Sequence, residues 1–194
     1  MDGAHELEAI EALCAARGKR MKVLYRVTPG VKADSHDYIV TGKKDSKFGF
    51  PPDEDVIYPA VERAVAAPHV DFLGFHFHIG SQLFDASPYL QAVEAVLELV
   101  RQVRDRFGVR VSELNLGGGF GITYTTEERR PYRYYLDPML ERIAACFDAL
   151  ELPAPPWSLS RAAASSGTPL SPSTPWGPSK RSPACANMWR WTAA

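Results

Sequence analysis

The sequence has no run of about 20 apolar residues, as a transmembrane helix requires, and no excess of basic residues. Its first residues, MDGAHELEAIEAL, are acidic, which argues against a signal or transit peptide. Lys and Arg number 22 against 23 Asp and Glu, a net charge of −1. Nucleic-acid-binding proteins usually carry a basic face. We therefore expect a cytoplasmic protein that binds neither a membrane nor nucleic acid.

Cysteine is scarce. The 194 residues include three, Cys14, Cys146 and Cys185, which are far apart in the chain. An odd number at such spacing favours reduced thiols over a disulfide framework or a metal-binding knuckle. No cysteine is predicted to be catalytic.

Acidic residues are absent from residues 153–194. This segment contains all four Trp and half of the 16 Pro, and it carries a charge of +4 against −5 for residues 1–152. A composition rich in Pro, Ser and Ala is typical of disorder, although four Trp are unusual there. The sequence therefore predicts a domain over residues 1–152 and a non-native, disordered tail over residues 153–194, whose tryptophans we expect to be loosely attached.

The domain alternates helices and strands. The first helical stripe is predicted to bury Leu7, Ile10, Leu13 and Cys14. Strands separated by helices of this length predict a parallel sheet, so we expect an α/β fold with three to four βα units of a TIM-type (β/α)8 barrel or doubly wound sheet. Predicted helices are HELEAIEALCAARG, EDVIYPAVERAVAA, SPYLQAVEAVLELVRQVRDRFG and LDPMLERIAACFDAL, and predicted strands are KVLYRVTPG, VDFLGFHFHIG and SELNLGGGFG.

Two histidines end the second predicted strand. Alternation places His76 and His78 on one face of the strand and the apolar residues that alternate with them on the other face, towards the helices. In a TIM-type barrel both imidazoles would face the lumen at the carboxyl end of the strand, where active sites of that fold lie. Two alternatives remain: hydrogen-bonded interior histidines, or a zinc-binding pair in a metal-dependent hydrolase. The helix-facing residues are predicted to be Leu73, Phe75, Phe77 and Ile79.

Three consecutive glycines follow the third predicted strand, in NLGGGFGI. Without Cβ atoms, backbone amides can approach another group closely, and an anion is the usual ligand of such amides. A flexible turn is the alternative. Since Ser81 follows the neighbouring strand, the two strand ends together predict a phosphate clamp.

Three stretches, LYRVTPGVKADSHDYIVTGKKDSKFGF, GFHFHIGSQ and LNLGGGFGITYT, resemble in order and spacing the motifs of diaminopimelate decarboxylases. That family belongs to the fold-type III, alanine-racemase-like group of pyridoxal-phosphate enzymes. The resemblance runs from about Glu6 to Leu152, with Thr28 where the family usually has Asn. It implies a barrel, pyridoxal 5'-phosphate as cofactor, an amino-acid substrate and a homodimer.

The resemblance also implies residue roles. His78 would stack on the pyridine ring, Ser81 and the glycine amides would hold the phosphate, and His76 would support them from behind. Lys47 would lie near the dimer interface. The cofactor accepts the electrons left when carbon dioxide departs, and the protein positions the reactants. The implied cofactor-binding residues are His78, Ser81, Gly117, Gly118 and Gly119.

Two family motifs are not found. Nothing before Gly30 resembles the YAxKAN-like motif with the lysine that binds the cofactor covalently, and the acidic EPGR motif is expected after Leu152. No catalytic residue and no metal ligand are therefore assigned, and we expect a fragment that is inactive alone. The family reaction converts meso-diaminopimelate to L-lysine and carbon dioxide. Alternatives are decarboxylases of arginine, ornithine or carboxynorspermidine, and a non-enzymatic phosphate- or vitamer-binding remnant.

The tail is interpreted as the next family segment translated in a shifted reading frame. With Trp157 as TGG and permitted codons for Ser158 through Ala163, the neighbouring frame reads V-V-E-P-G-R. Further permitted codons give Y-V-A-V-D-G-G. If a Met codon and a codon beginning with A follow that motif, they read TGA in the frame of this chain, which puts a stop just after Ala194. Sequencing the gene across the codons for Pro153 to Trp157 tests this hypothesis, and a clean frame there in related strains would contradict it.

Overall fold

A computed structural model describes residues 1–31, 48–123, 127–128, 130–153 and 155–159. Its described strands form one parallel sheet in the order β1-β2-β3-β4. Sequential parallel strands with intervening helices form the wall of a (β/α)8 barrel, which confirms the predicted fold class. None of the described helices is long and apolar enough to cross a membrane. The elements are α1 (Ala4–Arg17), β1 (Met21–Val27), α2 (Glu54–Ala66), β2 (Val70–Phe77), α3 (Ser87–Phe107), β3 (Glu113–Asn115), α4 (Tyr132–Ala149) and β4 (Trp157–Ser158).

Two helices end at the glycines predicted to stop them. Gly18 follows α1 with φ 60°, and its N–H donates to carbonyls of the last turn. Gly108 follows α3 with φ 65° and donates to the Arg104 carbonyl. A left-handed residue at this position bonds carbonyls that the helix leaves unpaired, and glycine adopts that conformation with little strain.

The predicted buried stripe of α1 is partly wrong. Leu7 and Cys14 are buried and Ile10 is half-buried, but Leu13 is 55% exposed. Residues seven apart lie on the same side of a helix, whereas Leu13 is rotated by about 100° from Cys14. Only a narrow stripe of α1 therefore packs on the domain.

Helix α4 begins four residues before the predicted start at Leu136. Pro131 precedes its first turn, and Pro138 lies inside the helix. The added turn contributes aromatic packing, since the ring centroids of Tyr135 and Phe120 are 4.8 Å apart and those of Tyr132 and Phe120 are 5.7 Å apart. Burial of these rings favours the early start despite the internal proline.

The core lies between the sheet and the helices. Tyr25, Phe75, Leu114 and Trp157 are neighbours across the four strands, and each is at most 5% exposed. Burying each large apolar side chain contributes about 1.5–3 kcal/mol. Helices α2 and α3 pack together, α2 covers β2, and α3 packs against α4.

A bulge in β2 changes which residues face the helices. Val23 pairs with Phe72 and Leu24 pairs with Gly74, so the register skips Leu73. Phe72 contacts the rings of Tyr25 and Phe75, at centroid distances of 5.2 and 5.5 Å. The predicted helix-facing role of Leu73 is therefore wrong, because the extra residue shifts the alternation by one position.

Strand β4 corrects one expectation about the tail, which was that its tryptophans would be loosely attached. Trp157 is 5% exposed and pairs with Leu114. The Leu116 N–H donates to the Ser158 carbonyl at 2.9 Å. The edge of β3 offers backbone partners to any extended segment that follows α4, and the indole fills the apolar layer behind it. Residues 160–194 lie outside the described residues.

Candidate phosphate-binding site at the strand ends

The loops that follow β2 and β3 are joined by a bridge between Leu83 and Phe120. The Leu83 N–H donates to the Gly119 carbonyl at 3.1 Å, and the Gly121 N–H donates to the Leu83 carbonyl at 2.8 Å. Parallel pairing therefore continues beyond the strands. The two loops form one surface at the carboxyl edge of the sheet, where ligands of this fold class bind.

Gln82 fastens the same two loops with its side chain. Its Nε2 donates to the Ile122 carbonyl, and its Oε1 accepts the Ile122 N–H, both at 2.9 Å. Its backbone is left-handed, with φ 59°. Gln82 belongs to the stretch GFHFHIGSQ, but no role was predicted for it from the sequence. A polar residue directly after Gly-Ser suggests a side chain with a hydrogen-bond partner. The partner could not be identified from the sequence, because it lies 40 residues away.

Replacing Gln82 by alanine is expected to lower the free energy of unfolding by about 1–3 kcal/mol, because the Ile122 backbone loses both partners. Urea unfolding measures this loss. The matched control is Gln91→Ala on the exposed face of α3, which should stay within about 0.5 kcal/mol of the wild type. Equal effects of the two variants would contradict the account of Gln82.

The glycine turn (Gly117, Gly118 and Gly119) packs directly on the end of β2. A Cβ at Gly117 would overlap the Phe77 carbonyl oxygen, and one at Gly119 would overlap the Gly80 carbonyl oxygen. Both glycines also have positive φ, 70° and 89°. The glycines are thus explained first by the close approach of two backbones, which places the turn beside Ser81.

The turn carries hydrogen-bond donors suited to an anion. Gly118 and Gly119 are buried, and no acceptor for their N–H groups is found among the described residues. Buried N–H groups are rarely left without a partner. Ser81 is half-buried beside them, and no hydrogen bond of its hydroxyl is found in the described ranges. These groups fit a phosphate, and their role as its ligands stays a prediction.

A row of polar side chains crosses the sheet on the face opposite the core. Arg26 on β1 is level with His76 on β2, His76 with Asn115 on β3, and Asn115 with Ser158 on β4. Residues level with one another in a parallel sheet point to the same side. The predicted inward face of His76 therefore agrees with the register.

Asn115 determines the protonation pattern of His76. Its Oδ1 accepts the Gly117 N–H at 3.0 Å and lies 2.8 Å from His76 Nδ1. Because a backbone N–H can only donate, the shared atom must be the oxygen, and His76 Nδ1 must carry a proton. Burial lowers the pKa of His76, which keeps the ring neutral with its Nε2 lone pair available. The role of Asn115 was not predicted from the sequence, although Asn side chains commonly bond the N–H two residues later in a turn.

His78 follows β2 directly and lies against the glycine turn, since a Cβ at Gly117 would be 3.3 Å from the His78 Cα. Burial, followed by the positive charge of Arg26 and by repulsion from His76 when that ring is protonated, lowers the pKa of His78 to about 4. The imidazole is therefore neutral at pH 7. A neutral, partly buried ring is suited to stacking on a flat heteroaromatic ligand.

The titration of His78 gives a direct test. In the folded protein the NMR signal of its imidazole is expected to titrate near pH 4, and in concentrated urea near pH 6.5. Between these values the unfolded chain binds more protons, so protonation of His78 destabilises the fold as the pH falls from about 6.5 to 4. The loss is about 1–2 kcal/mol, discounted because the ring is partly solvated. A folded-state midpoint near 6.5 would contradict the placement of His78.

Neither described lysine reaches these strand ends. Lys19 precedes β1 and Lys22 is its second residue, at the opposite edge of the sheet. Lys32, Lys43, Lys44 and Lys47 lie outside the described residues. In the described part of the chain, no group of three or more His, Cys, Asp or Glu side chains could hold a metal ion.

Comparison with known proteins gives the family. The family model described as "Pyridoxal-dependent decarboxylase, pyridoxal binding domain" matches residues 1–155. The chain belongs to the pyridoxal-dependent decarboxylases. This membership confirms the resemblance and the predicted cofactor. It argues against the alternative interpretation of a metal-dependent hydrolase.

Relatives of this decarboxylase domain include diaminopimelate decarboxylase of Bacillus methanolicus, 37% identical over 156 residues, or 80% of this chain and 36% of that protein. The enzyme of Corynebacterium efficiens is 44% identical over 128 residues, or 66% and 28%. The crystal structure of diaminopimelate decarboxylase from M. jannaschii with L-lysine has a TM-score of 0.72 at 28% identity, over 82% of this chain and 36% of that one. The chain spans about a third of the length of these relatives.

Proposed function

We propose that this chain forms the phosphate- and ring-binding wall of a pyridoxal-phosphate site in a diaminopimelate decarboxylase. The whole protein would convert meso-diaminopimelate to L-lysine and carbon dioxide. The observation that carries the proposal is the buried glycine turn, which lies beside Ser81 and against His78 and whose Gly118 and Gly119 amides have no acceptor among the described residues. The curated relatives and the L-lysine bound in the M. jannaschii enzyme support the substrate.

Each part of the wall has a separate task. The Gly118 and Gly119 amides and the Ser81 hydroxyl would hold the phosphate dianion by direct hydrogen bonds, whereas the Gly117 N–H donates to Asn115. His78 would pack on one face of the pyridine ring and exclude water from it. Asn115 holds the turn through the Gly117 N–H, and His76 bonds Asn115 on the same face of the sheet. The bound cofactor supplies the electron sink that decarboxylation needs. Because no lysine reaches these strand ends among the described residues, we propose that this chain alone is inactive.

A second candidate is a decarboxylase of another basic amino acid. The lysine/ornithine decarboxylase of Vibrio vulnificus shares the fold, with a TM-score of 0.60, but is only 23% identical. That likeness shows the fold alone, whereas the curated relatives at 37% and 44% identity are diaminopimelate decarboxylases. We therefore prefer diaminopimelate. By analogy with the family we also propose that the whole protein is a cytoplasmic homodimer that acts on an amino acid.

Calorimetric titration with two vitamers tests the proposal. Pyridoxine 5'-phosphate and pyridoxine differ only in the phosphate, and neither has an aldehyde that could react with surface lysines. The phosphate ester is expected to bind at least about tenfold more tightly, as charge-assisted bonds to the turn require. Ser81→Ala should weaken the ester alone by about threefold to tenfold. Ser112→Ala, an exposed serine before β3, should change neither affinity.

Equal affinities for the two vitamers would contradict the phosphate site. Loss of affinity in Ser112→Ala equal to that in Ser81→Ala would show a general effect on folding and would contradict the specific role of Ser81. Decarboxylation of meso-diaminopimelate by this chain with added pyridoxal 5'-phosphate would overturn the proposal that the chain alone is inactive.

A further inference from the structure

We infer that Tyr89 is a positioning residue for the phosphate site, because its hydroxyl holds the Gly118 carbonyl and so aims the Gly119 N–H away from α3. The inference rests on the proposed function and deepens it. Tyr89 touches neither vitamer nor phosphate in this scheme. It acts through the backbone of the glycine turn, from behind the site.

The hydroxyl of Tyr89 donates to the Gly118 carbonyl at 3.0 Å. The side chain is fully buried. Its ring lies 5.0 Å from that of Phe120 and 5.7 Å from that of Tyr135. Tyr89 also belongs to the first turn of α3, so helix and aromatic neighbours fix the donor in one position. A rigid donor costs little conformational entropy when it holds a flexible partner.

The geometry of the peptide bond transmits this constraint. The unit that joins Gly118 to Gly119 is planar and trans, so its C=O and N–H point in opposite directions. With the carbonyl bonded to Tyr89 in the core, the Gly119 N–H must point away from α3. This N–H has no acceptor among the residues that the structure describes.

The neighbouring peptides are held as well. Asn115 Oδ1 accepts the Gly117 N–H at 3.0 Å, and the Gly119 carbonyl accepts the Leu83 N–H at 3.1 Å. Tyr89 therefore supplies the middle of three fixed points in a segment that three glycines would otherwise leave flexible. Donors fixed before binding hold an anion more tightly than donors that must first be ordered.

A matched control exists in the same protein. The Tyr25 hydroxyl donates to the Ala60 carbonyl, also at 3.0 Å, and Tyr25 is also fully buried. Tyr25→Phe and Tyr89→Phe thus each remove one buried hydrogen bond of equal length to a backbone carbonyl. Similar stability losses are expected, since the deletions are chemically the same. Only Tyr89 contacts the glycine turn.

Calorimetry distinguishes the two variants. Tyr89→Phe is expected to weaken binding of pyridoxine 5'-phosphate by about fivefold to tenfold, through the loss of one fixed donor, and to leave binding of pyridoxine unchanged. Tyr25→Phe should change neither affinity. Equal affinities of wild type and Tyr89→Phe for the phosphate ester would overturn the inference, and so would an equal loss in Tyr25→Phe.

A second measurement needs no ligand. The ¹⁵N order parameter of the Gly119 amide is expected to fall in Tyr89→Phe and to stay unchanged in Tyr25→Phe. An unchanged order parameter in Tyr89→Phe would overturn the inference even if the wild type binds neither vitamer. Absence of vitamer binding by the wild type, with a lowered order parameter in Tyr89→Phe, would reject the proposed function and leave Tyr89 as the residue that fixes the turn.

Discussion

Replacing Gly119 by alanine is expected to lower the free energy of unfolding by about 3 kcal/mol or more and to abolish binding of pyridoxine 5'-phosphate. Two effects add. The Cβ would overlap the Gly80 carbonyl oxygen, a backbone atom that cannot rotate away, and the residue would have to keep a φ of 89°. Relief of the overlap would separate the loop after β3 from the loop after β2, and with it the glycine turn from Ser81.

Gly108→Ala separates the two effects. Gly108 has φ 65°, but a Cβ there would meet nothing within 4 Å. This variant should therefore lose only about 1 kcal/mol, from left-handed strain, and keep its affinity for the phosphate ester. Urea unfolding and calorimetry of both variants measure the difference. Equal stability losses, with the ester still bound by Gly119→Ala, would contradict the close approach of the two loops.

The second large effect is expected at Trp157. Replacing it by alanine should lower the free energy of unfolding by about 3–5 kcal/mol, as is typical for a large buried side chain. The reason is the position of the indole, which continues the buried row of Tyr25, Phe75 and Leu114 across the sheet. Urea unfolding, followed by tyrosine absorbance so that the probe is kept in the variant, measures the loss.

Trp157→Phe is the control for this experiment. It keeps an aromatic ring in the row and should lose about half as much or less, because a smaller cavity remains. A loss below about 0.5 kcal/mol in Trp157→Ala would contradict the burial of the indole. It would restore the sequence-based expectation that the tail tryptophans are loosely attached.

Local signals in the sequence were enough for most of the fold. Helix α1 ends at Gly18 and α3 at Gly108 because glycine is the residue that best adopts the left-handed conformation after a helix. The alternation of His76 and His78 with Phe75 and Phe77 predicted the two faces at the end of β2. The same reasoning failed upstream at Leu73, since a bulge in the pairing leaves no reliable trace in one strand alone.

The contacts that shape the site could not be predicted in the same way. Gln82 bonds Ile122, and Tyr89 bonds Gly118, 29 residues further along the chain. Such pairs depend on the register of neighbouring strands and on the angle of α3, and no local pattern contains either. The sequence therefore predicts a phosphate clamp made of Ser81 and the glycine turn. The structure adds the hydrogen bonds of Gln82 and Tyr89 that fix the positions of its two loops.

The carboxyl-terminal boundary of the domain was predicted from amino-acid composition, and strand pairing in the structure continues beyond it. Composition placed a change at Pro153, and the family model ends at residue 155. Yet Trp157 and Ser158 pair with β3. Because the main-chain hydrogen bonds of a short edge strand can form with most side chains, amino-acid composition alone does not show where strand pairing stops.

The most direct test of the central claim is the ¹⁵N–¹H spectrum of the whole chain during titration with pyridoxine 5'-phosphate. We expect the largest shifts at the amides of Gly118, Gly119 and Ser81, with smaller ones at His78. Pyridoxine should shift the glycine amides much less. Saturable shifts confined to other parts of the sheet, with the glycine turn unaffected, would contradict it.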